Sequence, residues 1–279
     1  MIVIAWNSLG DKWGPFWTNW VSGAIANNRN QDVVALLTEA SWAPWMTPNR
    51  SWSVDVQDSS AYEFVWRENT AEYVDGKKSS FCIGINEERN RSAFWVPWVG
   101  SFDSARTNSR CSMGGAASMV WRRRGEVMGY SQFPGLQLKK EMWRPAVRVN
   151  LTRAGNLAFA VFSVHLVSGW PAGAQDELAA LLRAIPSMVG SSIPALVVGD
   201  MNIDISGSST ANVQATAPKG WRVLRSGSPT HRSGGELDWA FLYDPNGQLG
   251  NASAAVVGRY DAYPNDSDHA VMAYQIPDV

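Results

Sequence analysis

The sequence predicts an α/β protein whose strands form two packed sheets within a single domain, residues 1–279. Three observations carry that expectation. Strand patterns outnumber helical ones, no stretch has the length or composition of a linker, and no internal repeat or low-complexity tract divides the chain. A doubly wound fold would alternate strand and helix throughout. With 279 residues, 45% hydrophobic and 18% charged, the chain can bury a substantial core and is too apolar to be disordered.

The elements follow in order. Ile2 to Trp6 is a strand-length apolar run, and residues 16–29 place Phe16, Trp17, Trp20, Val21 and Ile25 at helical spacing. Asp32 to Leu37 is a second buried strand, ending at Glu39. Further strands are expected at Tyr62–Trp66, Phe81–Ile85, Ala116–Trp121, Val147–Leu151 and Leu157–Leu166, several of them alternating and therefore half-buried. Residues 173–186 form a helix with Leu178, Leu181, Leu182 and Ile185 on one face. Strands at Ala195–Val198, Leu237–Leu242 and Val271–Tyr274 complete the pattern.

Composition excludes some functions and leaves others open. No run of about 18 apolar residues exists to span a bilayer as a helix. The opening MIVIAWN lacks the basic start of a signal peptide. Abundant Ser, Gly and Asn with little Lys lean towards an exported protein, and the compartment stays open. Cys82 and Cys111 are 29 residues apart, which fits no metal motif and leaves open a disulfide or two buried thiols. The fifteen tryptophans are read first as packing. The net charge of −1 hides a basic stripe: residues 122–153 hold Arg122, Arg123, Arg124, Lys139, Lys140, Arg144, Arg148 and Arg153 against Glu126 and Glu141. Such a run is either a solvated face or a surface for phosphates.

Polar residues stand where the apolar runs stop. Asn7 follows the first strand, Glu39 the second, and His165 closes 157–166. Asp200 and Asn202 follow 195–198, Asp238 enters 237–242, and Asp268-His269 precedes the last strand. A single strand-terminal Asp is ordinarily a turn or a helix cap; seven such sites in one chain ask for another reason. Of the three histidines, His165 and His269 fall at these positions, whereas His231 sits in a Gly/Ser-rich loop and is assigned a surface role.

Six segments, WNSLG (6–10), LLTEAS (36–41), SVHLVSG (163–169), VVGDMNID (197–204), GGELDWAF (234–241) and DSDHAVM (266–272), resemble in order and spacing the motifs of the endonuclease/exonuclease/phosphatase superfamily, to which deoxyribonuclease I belongs. WNSLG, RPAVRV (144–149), the small residues after Glu39 and His165 and the triple arginine 122–124 resemble its cytolethal distending toxin B-subunit branch most. The resemblance covers essentially the whole chain, least securely residues 42–110. It implies a four-layer α/β/β/α sandwich of two mainly antiparallel sheets with outer helices. It also implies phosphate-ester hydrolysis with one or two divalent cations, usually Mg²⁺, with Mn²⁺ or Ca²⁺ as alternatives.

Residue chemistry agrees with that implication. A phosphodiester repels anionic nucleophiles, so its hydrolysis needs a hard cation, a positioned water and donors to the phosphate oxygens. Glu39 is the expected metal ligand, with Asn7 and Asp268 beside it or behind it. Asp200 would orient or deprotonate water, and Asn202 would bond the water or the phosphate. His269 would be a second acid/base group, its other ring proton accepted by Asp238. His165 would donate to a phosphate oxygen. Whether Asp200 or His269 takes the proton from water stays open at this stage, and Asp204 is assigned a structural role. Arg144, and after it Arg123, are expected to contact phosphate. DNA is the expected substrate and a phosphorylated lipid, a phosphoinositide or sphingomyelin, the alternative; a monomer is expected, and no carrier-binding segment is evident. A third hypothesis, a binding protein on a decayed nuclease scaffold, is opposed by the presence of every candidate catalytic residue.

Overall fold

The computed structural model describes residues 1–7, 19–20, 24, 33–38, 51–55, 61–73, 77–86, 91–95, 116–121, 147–153, 156–207, 209–260 and 267–277. In chain order its strands are β1 (Ile2–Asn7), β2 (Val33–Thr38), β3 (Ser51–Asp55), β4 (Ala61–Tyr73), β5 (Lys77–Asn86), β6 (Arg91–Trp95) and β7 (Ala116–Trp121). They continue as β8 (Val147–Arg153), β9 (Asn156–His165), β10 (Ala195–Asp200), β11 (Trp221–Leu224), β12 (Asp238–Tyr243), β13 (Ser253–Gly258) and β14 (Val271–Gln275). Helix α1 (Pro171–Val189) joins β9 to β10, and α2 (Ser209–Thr216) precedes β11.

Two sheets result. One has nine strands in the order β13-β14-β1-β2-β7-β6-β5-β4-β3, and the other has five in the order β11-β12-β10-β9-β8. Among the described residues, only β1 with β2 and β9 with β10 pair in parallel, and the other pairings are antiparallel. The β9–β10 crossover is carried by α1, as a parallel pair requires.

The sheets face each other through one apolar layer. Val3, Ala5, Val34, Leu36, Met272 and Tyr274 from the larger sheet pack on Phe159, Val161, Leu196, Val198, Ala240 and Leu242 from the smaller. Alternate residues of the same strands, among them Phe162, Val164, Val197, Trp239 and Phe241, point the other way and meet Leu178, Leu181, Leu182 and Ile185 of α1. The smaller sheet is thus apolar on both faces, so its strands read as continuous apolar runs. Pro171 opens α1 at a position that needs no N–H. The helix runs past the predicted end at Ile185-Pro186 to Val189, which lies four residues beyond Ile185 and rejoins the same buried face.

The two-sheet sandwich agrees with the sequence expectation. The predicted helix 16–29 and Cys111 lie, in whole or for the most part, outside the described residues, so the outer layer on that side is not described. Several strands run longer than predicted. β10 in particular reaches Asp200, because its ladder with β9 and β12 continues through that residue.

Candidate functional site

The register of the smaller sheet sets the site. In β10, Asp200 stands opposite His165 of β9 on one side and Asp238 of β12 on the other. Three chemically active residues therefore occupy one row across three neighbouring strands. Gly199, immediately before, has φ +142, and a Cβ there would lie 2.1 Å from the Val164 carbonyl oxygen. Only a residue without a side chain lets β9 and β10 come this close beside the row.

Beyond the row, backbone bonds hold the chain in place. Met201 N–H donates to the Leu237 carbonyl and Ile205 N–H to that of Glu236, at 3.0 and 3.2 Å. Asn202 takes the left-handed conformation, φ +50, which Asn tolerates better than most residues. Asp204 accepts the N–H groups of Ser206 and Glu236. Burial would raise its pKa, but those bonds, the Ser206 hydroxyl and the Arg225 charge outweigh burial and lower it. Asp204 thus serves structure. Buried Glu236 closes the same latch, paired with Arg225 and accepting the N–H groups of Ser226 and Gly227.

Asp200 is the centre of the constellation and is buried. Its Oδ1 accepts the Asn202 N–H at 2.9 Å, and its Oδ2 accepts Asn7 Nδ2, from the end of β1, at 2.9 Å. The Nε2 atoms of His165 and His269 lie 3.5 and 3.7 Å from that same Oδ2. The Asn202 side chain donates to the Leu166 carbonyl at 2.9 Å, which ties the end of β10 to the end of β9. The sequence expectation puts the same amide on water or phosphate, whereas here it donates to backbone. The loop after His165 is held by Glu177 of α1, whose buried carboxylate accepts the Val167 N–H at 2.8 Å.

His269 is oriented from behind. Its Nδ1 lies 2.8 Å from Asp238 Oδ2, so the ring donates there and turns Nε2 towards Asp200. The backbone around it is fixed as well: the Trp6 indole donates to the His269 carbonyl at 3.0 Å, and Thr230 Oγ1 accepts the N–H of Asp238 at 2.9 Å. Burial pushes the His269 pKa down, yet the charge and hydrogen bond of Asp238, with the charges of Asp200 and Asp268, overcome it and raise it to about 10. In the metal-free protein His269 is an imidazolium at neutral pH.

Asp268 and His231 complete the cluster. Asp268 Oδ1 is 3.9 Å from His269 Nε2, and its Oδ2 is 3.1 Å from His231 Nε2. The Asp268 pKa is lowered: burial acts against this, and the His269 charge and His231 hydrogen bond outweigh burial. His231 is no bystander in a surface loop. It bridges to His269 through the backbone, and the two rings meet edge to face with centroids 4.6 Å apart. A reading of the loop composition had no means of finding that contact.

Two groups of these side chains could hold a metal ion. Asp200, Asp238 and His269 each bring a ligand atom within 4.8 Å of the others, as do His231, Asp268 and His269. Such a concentration of carboxylate oxygen around one imidazolium calls for positive charge. The structure thus gathers Asn7, His165, Asp200, Asn202, Asp238, Asp268 and His269. Glu39, Arg123 and Arg144 lie outside the described residues.

By sequence, no protein-family model and no curated protein matches the chain. Solved structures do. The Haemophilus ducreyi cytolethal distending toxin aligns at 19% identity over 99% of this chain and 98% of that one, with a TM-score of 0.54. A Neisseria 3′ phosphatase bound to a product DNA hairpin aligns at 14% identity over the whole of both chains, TM-score 0.51. The chain has the deoxyribonuclease I-like fold. Staphylococcus aureus beta toxin, solved with bound magnesium ions, shares this fold at 12% identity over 98% of each chain, TM-score 0.52. At these identities the deoxyribonuclease I-like architecture is what is shared, and the residues of the site argue the chemistry.

Proposed function

We propose that this chain is a divalent-metal-dependent phosphodiester hydrolase whose substrate is DNA. One observation carries the proposal: two imidazole Nε2 atoms, from His165 and His269, face a single buried carboxylate oxygen, Asp200 Oδ2, at 3.5 and 3.7 Å. That is the constellation needed to hold a water molecule between a proton acceptor and donors to a phosphate. The DNA-bound phosphatase and the magnesium-bound toxin of the same fold support the substrate and the ion.

Each residue then has a role. Asp200, held by Asn202 and Asn7, orients the water and takes its proton as oxygen attacks phosphorus. His269, kept protonated by Asp238, gives its Nε2 proton to the departing oxygen. His165 donates to a non-bridging phosphate oxygen as charge builds there. Asn202 positions rather than contacts, joining β10 to β9. Asp268, Asn7 and Glu39 are the residues to hold Mg²⁺, which supplies charge neutralisation at the phosphate. Arg144 and Arg123 would steer the DNA backbone.

A second reading, hydrolysis of a phosphorylated lipid, is favoured by Trp170. Its ring stands 61% exposed at the head of α1, five residues after His165, where an aromatic could enter a membrane interface. The deciding experiment measures Mg²⁺-dependent turnover of plasmid DNA beside phosphoinositide and sphingomyelin, with His165→Ala as the control for contaminating enzyme. DNA cleavage abolished by chelator and by His165→Ala supports the first reading. Lipid turnover without DNA cleavage transfers the same site to the second, and no turnover on any substrate refutes both.

A further inference from the structure

We infer that His231, Asp268 and His269 form a binding site for a borderline transition-metal ion such as Zn²⁺, separate in kind from a Mg²⁺ site and able to shut the centre down. The donors are two imidazole nitrogens and one carboxylate. Mg²⁺ prefers oxygen alone, whereas imidazole suits zinc and its neighbours.

Geometry supports each ligand in turn. Both rings turn the same atom, Nε2, to the two oxygens of one carboxylate: His231 Nε2 is 3.1 Å from Asp268 Oδ2, and His269 Nε2 is 3.9 Å from Asp268 Oδ1. Metal bonds of about 2.0–2.2 Å place tetrahedral ligand atoms roughly 3.4 Å apart, between those two separations. A metal-bound histidine also needs its other ring nitrogen anchored to an oxygen. His269 Nδ1 has Asp238 Oδ2 at 2.8 Å. His231 Nδ1 has Ser233 Oγ at 2.6 Å and also accepts the Ser233 N–H at 3.1 Å, so binding a metal at Nε2 moves the ring proton to Nδ1, where Ser233 Oγ accepts it.

The backbone holds the three ligands before any ion arrives. Residues 230–232 lie antiparallel to 268–270, with Arg232 N–H donating to the Asp268 carbonyl at 2.8 Å and Ala270 N–H to that of Thr230 at 2.7 Å. His231 and Asp268 are both half-exposed, which leaves a route of entry, while His269 forms the buried floor. An ion held here displaces the Nε2 proton of His269 to solvent, takes the lone pair this frees, and neutralises the charge of Asp268. Neither group then remains for the hydrolysis proposed above, so inhibition rests on that proposal; binding of the ion does not.

The test uses the full-length protein freed of metal, titrated with Zn²⁺ against a chromogenic chelator, and with Co²⁺ for its visible spectrum. Wild type should bind one Zn²⁺. Removing even an outer partner of a ligand costs about 10- to 100-fold in affinity, so Ser233→Ala should weaken Zn²⁺ by about 10-fold and His231→Ala by more. His231→Asn guards against a folding artefact, since it keeps a polar side chain and should show the same loss. In the activity arm, Zn²⁺ should inhibit wild-type Mg²⁺-dependent turnover, and His231→Ala should resist it. If wild type binds no Zn²⁺, or if both His231 variants bind it as wild type does, the site does not exist. If no substrate is turned over, the proposed function fails while the titration still decides the metal site.

Discussion

The three carboxylates around His269 should make the metal-free protein lose stability through mildly alkaline pH, and Asp238→Asn should remove much of that loss. The His269 pKa lies at about 10 in the folded protein against 6.5 for an ordinary histidine. At about 1.4 kcal/mol per pKa unit, that difference is worth roughly 5 kcal/mol to the protonated fold. Because the folded pKa is the higher one, the folded state holds the extra proton. The contribution is complete below pH 6.5 and fades as pH climbs towards 10, at no more than about 1.4 kcal/mol per pH unit. Tyr274 does not confuse the window: burial, aided by Asp238 and Glu236, keeps its pKa well above 10. The assay is urea unfolding in chelator across that range, with the His269 ring followed by NMR. Asp238→Asn should show a shallower pH dependence and a His269 ring that titrates at lower pH. A flat stability profile in wild type, or an unchanged titration in Asp238→Asn, would refute the account of how this imidazole is held charged.

Three further outcomes are expected. Gly199→Ala forces a Cβ to 2.1 Å from the Val164 carbonyl oxygen and should cost about 3 kcal/mol or more in a denaturant melt; a variant as stable as wild type contradicts the close approach. His165→Ala and His269→Ala should each slow turnover by roughly 10² or more with the far-UV spectrum kept, and near-normal kinetics in either removes that residue from the proposed chemistry. Arg144→Ala should flatten the plot of log K for DNA against log[salt] by about 1. An unchanged slope takes Arg144 off the DNA path.

How far the sequence reveals the site depends on which physical signal each residue carries. Asn7, His165, Asp200 and Asp238 are legible because an apolar run ends on each, and apolar runs are what a two-sided buried sheet demands. Their alignment is not legible. That His165, Asp200 and Asp238 share one row depends on pairing between strands 35 and 38 residues apart, and no local pattern encodes such a register. Four strands, β3, β6, β11 and β13, have no counterpart in the sequence expectation, and for the last two the reason is visible. β11 has only four residues, and β13, SAAVVG, is built of small residues on a partly exposed edge. His231 shows the limit most plainly, since a Gly/Ser-rich segment reads as solvent while its backbone bridges to His269. The one available hint was the rarity of histidine in a chain of this length.

The dependence of so many groups on one oxygen of Asp200 also says how such a site can be lost. Asn7 bonds that oxygen and the Nε2 atoms of His165 and His269 face it, so their contributions are not independent. Groups that act as a unit fall together: after Asp200→Ala, a second change at His165 or His269 should cost little more. A lineage in which that carboxylate mutated would retain no selective reason to keep the other three.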